Sequence, residues 1–116
     1  MKKVLLFSTL VVTSFVVIIS CSKNNGDTNN SCDGVTAKSF ATDVNPIIQT
    51  YCNQPNCHNP GSVNGPGPLT NYTEIFNART AIKDQVAAGL MPQNTTLTST
   101  QKQIIICWVN SGGANN

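Results

Sequence analysis

Hydrophobic positions along this chain fall into three regimes. Between Val4 and Ile19 they form one run, broken only by Ser8, Thr9, Thr13 and Ser14. From Ser22 to Asn30 there are none, the stretch reading Ser-Lys-Asn-Asn-Gly-Asp-Thr-Asn-Asn. Beyond that they recur at helical intervals. Asp43 suits an N-cap, Pro46 falls early in a first turn, and Ile47, Ile48 and Tyr51 follow, so the pattern predicts a helix running straight into Cys52. Leu69, Tyr72, Ile75 and Phe76 give the apolar side of a short helix over 72–77. Ile82 and Val86, four apart, mark another over 80–88, with Gly89 as its stop. Thr98-Ser99-Thr100-Gln101 is a capping-box pattern that opens a last helix. That helix carries Ile104, Ile105, Cys107, Trp108 and Val109 and ends at Gly112-Gly113. No stretch alternates polar and apolar residues for long enough to build a sheet. The pattern predicts an all-α fold.

One segment resists this description. Residues 59–68 contain Gly61, Gly65, Pro66, Gly67 and Pro68 and can be neither helix nor central strand. Such a segment must wrap around something to be ordered. At 116 residues the chain has room for one small domain, and the folded part, with few aromatic residues, has only a small core of its own.

Lys2 and Lys3 ahead of the first apolar run make it a secretory signal. Its end, Ile18-Ile19-Ser20-Cys21, resembles the lipobox of bacterial lipoproteins. The resemblance implies cleavage before Cys21 and a lipid on its thiol; an uncleaved signal anchor is the alternative. The organisation expected is a lipoprotein signal over 1–20, a flexible polar tether over 21–31 and a folded domain over 32–116. The location implied is the cell envelope, with the protein anchored to a membrane on its periplasmic or outer-membrane face. Without Lys2 and Lys3 the chain keeps five basic and five acidic side chains. A neutral domain with no basic stripe offers nothing to a nucleic acid.

The chemistry is concentrated in Cys52-Asn53-Gln54-Pro55-Asn56-Cys57-His58. A Cys-His run is how a covalent c-type haem site ends, with two thioethers to the porphyrin and the adjacent imidazole on the iron. The usual spacing places two residues between the cysteines, and here there are four. A disulfide loop with an incidental histidine is the plainer alternative. His58 is the only histidine, so a second imidazole ligand cannot come from the same molecule. Met1 leaves with the signal, and Met91 lies in Gly89-Leu90-Met91-Pro92, where the proline forces an extended turn. A thioether on that loop can approach the iron opposite His58; core filling is the competing role for a methionine. A structural zinc site would need Cys32 or Cys107 as a fourth ligand. A thiol–disulfide oxidoreductase would need two intervening residues on a thioredoxin-like sheet.

From Phe40 to Ala114 the chain resembles a small class I cytochrome c domain. The resemblance rests on Asp43-Val44-Asn45-Pro46-Ile47-Ile48 leading into the Cys-His motif and on Leu69-Thr70-Asn71-Tyr72 after the Gly/Pro segment. Gly89-Leu90-Met91-Pro92 and the closing Trp108-Val109-Asn110-Ser111-Gly112 complete it. It implies three to four helices around one covalent haem c, the first and last crossing with Phe40 or Tyr51 near Trp108. Cys52 and Cys57 would be the covalent anchors, His58 and Met91 the axial ligands, and the extra residues around Pro55 would bulge outward. With Cys21 lipidated and two cysteines on haem, Cys32 and Cys107 are left to form a disulfide. The function implied is a lipid-anchored monohaem electron carrier, not an enzyme, exchanging electrons with a redox partner protein. The alternative is a haem-free envelope lipoprotein, stapled by Cys52–Cys57 and Cys32–Cys107, with a binding or structural role.

Overall fold

The computed structural model describes Cys32 and residues 38–116. The signal over 1–20, the tether over 21–31 and the lipid site Cys21 lie outside the described residues.

The first helical segment begins earlier than its sequence suggests. Ser39, not Asp43, is the cap: its hydroxyl accepts from the Thr42 N–H, and the Asp43 carboxylate accepts from the Ser39 N–H at 3.0 Å. This reciprocal pair opens a π-helical turn, Phe40–Val44, that continues into α1, Asn45–Tyr51. The reason is packing, because the extra turn delivers Phe40 and Val44 into the core.

The helices expected over 72–77 and 80–88 are a single one, α2, Tyr72–Ala87. Nothing between Asn77 and Thr80 breaks a helix, and Ala78 carries the buried stripe of Ile75, Ile82 and Val86 across the supposed gap. Asn71 caps it by accepting from the Glu74 N–H. The Glu74 carboxylate accepts from both the N–H and the hydroxyl of Thr70, which lowers its pKa below the usual carboxylate value. Gly89 ends the helix as expected, at φ 70°, with its own N–H on the Val86 carbonyl and the Leu90 N–H on that of Gln85.

The third helix, α3, spans Ser99–Asn110 and has both halves of the capping box between Thr98 and Gln101. It ends at Gly112, where the Gly113 N–H reaches the Trp108 carbonyl. The described residues thus form three α-helices and no strand, so the all-α expectation holds with three helices and a π-helical turn.

The core is anchored by rings. Phe40 meets Tyr72 edge-on at 4.9 Å and Trp108 at 5.6 Å between centroids, so of the two residues the resemblance offered, Phe40 and Tyr51, it is Phe40 that joins the first helical segment to Trp108 of the last. Trp108 is the largest fully buried side chain, and its indole N–H donates to the Ala114 carbonyl. Residues 113–116 are stitched over this cluster. The Tyr72 hydroxyl donates to Gly113, the Phe40 N–H to the Asn116 side chain, and the Ala41 N–H to the Asn116 main-chain oxygen. Cys32 is tied to Cys107 by a disulfide, with Cα atoms 5.5 Å apart and a sequence separation of 75. In the chain-entropy picture, closing a loop of that length stabilises by roughly 4 kcal/mol.

Candidate functional site

Where α1 stops, the chain turns into the motif rather than away from it. The Cys52 and Asn53 N–H groups both reach the Ile48 carbonyl and finish the helix. The Cys57 N–H then donates to the Gln54 carbonyl at 2.9 Å, with Pro55 and Asn56 as the central pair and Asn56 at φ 64°. Proline at the first central position with positive φ at the second is a type II turn. The His58 N–H closes the loop on the Cys52 carbonyl at 3.1 Å. The lengthened cysteine spacing is thus absorbed by a turn that faces solvent. Gln54, Pro55 and Asn56 are exposed, while Cys52 and His58 are buried.

The Gly/Pro segment folds back onto His58. The Leu69 N–H donates to the His58 carbonyl at 2.9 Å, and the Gly67 carbonyl lies 2.9 Å from the ring Nδ1. A carbonyl can only accept, so Nδ1 is the donor of this bond, which leaves Nε2 as the nitrogen available to a ligand whenever the ring is neutral. Among the described residues Nε2 has no hydrogen-bond partner. Asn64 ties the same segment to the outward turn through the carbonyls of Asn56 and Cys57. No side-chain pattern announces this arrangement, because the groups that hold the histidine are backbone carbonyls and amides.

Cys52, Cys57, His58 and Met91 all line one cleft of about 760 Å³. Its apolar walls are Leu69 on one side and Ile82 and Val86 of α2 on another. The volume lies within the range of roughly 300–1,000 Å³ that suits a small organic ligand or cofactor. Met91 reaches the cleft from the loop after α2, where its N–H and that of Leu90 share the Gln85 carbonyl, and the Met91–Pro92 bond is cis. Tyr51 also lines the cleft. The Gln101 side-chain oxygen accepts from the Thr98 N–H, so its NH₂ end donates to the Tyr51 hydroxyl at 3.2 Å. The capping box of α3 thereby holds the residue next to Cys52, a link invisible in either motif alone.

Cys52 and Cys57 are free thiols, not bonded to one another. Burial, together with the nearby Cys57 thiol, pushes the Cys52 pKa from 9.0 up to about 11. Cys57 is half-buried. The fourth ligand a zinc site would need is not to be had from Cys32 or Cys107, since the disulfide consumes both. Among the described residues no three His, Cys, Asp or Glu side chains converge on a point that could hold a metal ion.

An iron held between one imidazole and one thioether needs no such cluster. The residue types around the cleft are ones that could hold a porphyrin: an imidazole oriented by a backbone carbonyl, a thioether, two free thiols and apolar walls. Neither a family model, nor a curated protein, nor a solved structure matches this chain.

Proposed function

We propose that the chain is a monohaem c-type cytochrome, a lipid-anchored electron carrier of the bacterial envelope. One observation carries the reading. His58 donates a hydrogen bond from Nδ1 to the Gly67 carbonyl, so that Nε2 is the nitrogen left for a ligand, in a cleft that both free thiols and Met91 also line. A backbone carbonyl on the far nitrogen is the usual device for fixing a metal-binding histidine.

Cys52 and Cys57 would hold the porphyrin through thioethers, and His58 and Met91 would ligate its iron. Bound haem supplies a one-electron couple at that iron. The protein's part is to orient and to exclude water. The bonds to Gly67 and Leu69 fix the His58 ring and backbone, and Leu69, Ile82 and Val86 keep the interior apolar. If His58 and Met91 both ligated the iron, no ligand position would be left for a substrate, which favours a carrier over an enzyme. The apolar run behind Lys2 and Lys3 and the lipobox-like Ser20-Cys21 support an anchor at a membrane surface of the envelope.

Protein produced in the periplasm together with a cytochrome c maturation system should be red. Its haem should survive denaturation and acid–acetone extraction. Colourless protein, or haem that extracts freely, would overturn the proposal.

A further inference from the structure

Two carboxamides outside the Cys52–His58 motif bear on the histidine without bonding to it. The ring and the main chain of His58 are held by one short segment: the Gly67 carbonyl accepts from Nδ1, and the Leu69 N–H donates to the His58 carbonyl. That segment lies in no helix, and Pro68 between the two has no N–H to give. Its two ends are fastened by side chains.

The upstream fastening is Asn64. Its Nδ2 donates to the carbonyls of Asn56, at 2.9 Å, and of Cys57, at 3.2 Å, and its own main-chain carbonyl accepts the Gly67 N–H. Both side-chain partners are carbonyls, so the NH₂ end must face them. Gly67 is thereby tied, through Asn64, to the peptide just ahead of His58.

The downstream fastening is Gln49 of α1. Its Nε2 donates to the Leu69 carbonyl at 3.2 Å and to the Asn45 side-chain oxygen at 3.0 Å, and its oxygen accepts from Asn53 Nδ2 at 2.6 Å. The Leu69 carbonyl sets the direction of this row, because a main-chain oxygen only accepts and so draws the Gln49 NH₂ toward itself. Gln49 then offers its oxygen to Asn53, Asn53 must answer with NH₂, and its Oδ1 is left buried with no partner among the described residues. Buried acceptors are rarely left unpaired. Here the unpaired oxygen is the consequence of aiming Gln49 at Leu69.

We propose that Gln49 and Asn64 are positioning residues for His58, which on the haem reading above is the imidazole ligand of the iron. Asn64 sets the Gly67 carbonyl against the ring, and Gln49 sets Leu69 against the main chain. A carbonyl on the far nitrogen makes an imidazole a stronger donor to a metal. Slackening either fastening weakens that bond and the ligand with it, which favours the ferrous state.

Asn64→Ala and Gln49→Met each remove the donors and add no charge. Asn77→Ala is the control, at an exposed side chain of α2 with no hydrogen bond among the described residues. Nuclear magnetic resonance on the haem-free chain at about pH 8.5, where imidazole is neutral, reads the ring tautomer directly. The parent should carry the His58 proton on Nδ1, the reverse of free histidine. Either variant should shift the proton toward Nε2 and speed exchange of the Leu69 N–H by about tenfold or more, with the control unchanged. With haem attached, both variants should have a higher reduction potential than the parent. A parent ring protonated on Nε2, or variants that keep its tautomer and exchange rate, would overturn the proposal and leave the haem reading standing. Unchanged potentials in the loaded variants would overturn the link to the iron. A chain that takes up no haem would overturn that reading and the ligand role together, and the tautomer, measured without haem, tells the two failures apart. Should a variant unfold, Asn64→Asp or Gln49→Glu keeps the shape, loses the same donors and is judged by the same outcomes.

Discussion

The two sides of the molecule are built on different terms. On the aromatic side, Phe40, Tyr72 and Trp108 fill one another's space, residues 113–116 close over them, and a disulfide ties Cys107 of α3 to Cys32. On the cleft side the chain is mostly irregular, its turns pin backbone to backbone, and a histidine, a methionine and two thiols face a large cavity. The first is a core that completes itself with protein atoms. The second has the form of a socket. The contrast explains how so small a chain can order a Gly/Pro segment that has little apolar surface of its own.

The comparison can be broken most forcefully at Trp108. Replacing it by alanine removes the centre of the self-sufficient side and should cost about 3–5 kcal/mol in urea unfolding, even in protein made without haem attachment. A loss below about 1 kcal/mol would show that the aromatic side is not where the stability of the chain resides.

A smaller effect should come from the socket, and it depends on pH. An unfolded thiol gives up its proton near 9.0, whereas buried Cys52 keeps its own to about 11. The unfolded chain is therefore the better acid. The stability gained from the neutral buried thiol is fully present below pH 9 and is lost as pH rises through 11. The loss is on the order of 2 kcal/mol. The urea midpoint of the haem-free chain should fall over this interval relative to Cys52→Ala. Iodoacetamide at neutral pH should modify Cys57 well before Cys52. Equal rates at the two thiols, or parallel pH curves for the two proteins, would mean that Cys52 is not buried in solution.

The smallest expected effect is at Gly113. It has φ 74°, and a Cβ there would meet the Arg79 side chain at 3.1 Å and the Phe76 ring at 3.3 Å. Gly113→Ala should cost about 1–2 kcal/mol, through backbone strain and a displaced ring. A neutral result would indicate that the closing residues over the aromatic cluster are looser than their hydrogen bonds suggest.

Much of the fold was legible where local chemistry decides it. The Thr98–Gln101 capping box and the stops at Gly89 and Gly112 follow from side chains whose preferences are strong, whereas a contact of Phe40 or Tyr51 with Trp108 was implied only by the family resemblance, and Phe40 is the one that makes it. The Cys32–Cys107 pairing was legible only through the family resemblance, and the chain bears it out. Two features were misread. Ser39 took the capping role from Asp43 because the extra turn buries Phe40, and α2 ran through 78–79 because a buried alanine continues the stripe as well as an isoleucine would. At the site, the sequence named the residues that meet at the cleft but not what holds them. The Gly67 carbonyl on His58 and the Gln101 amide on Tyr51 depend on the course of the backbone, which no local pattern encodes.

The most direct test of the proposed haem site is whether Met91 would join His58 as a ligand of the iron. In the haem-loaded ferric protein, the account predicts the weak sulfur-to-iron absorption at the red end of the visible spectrum. In the ferrous protein it predicts resistance to carbon monoxide. Met91→Ala should abolish the band, lower the reduction potential and open the iron to carbon monoxide. A parent that already lacks the band and binds carbon monoxide would contradict the account, since Met91 would then line the cleft without serving it.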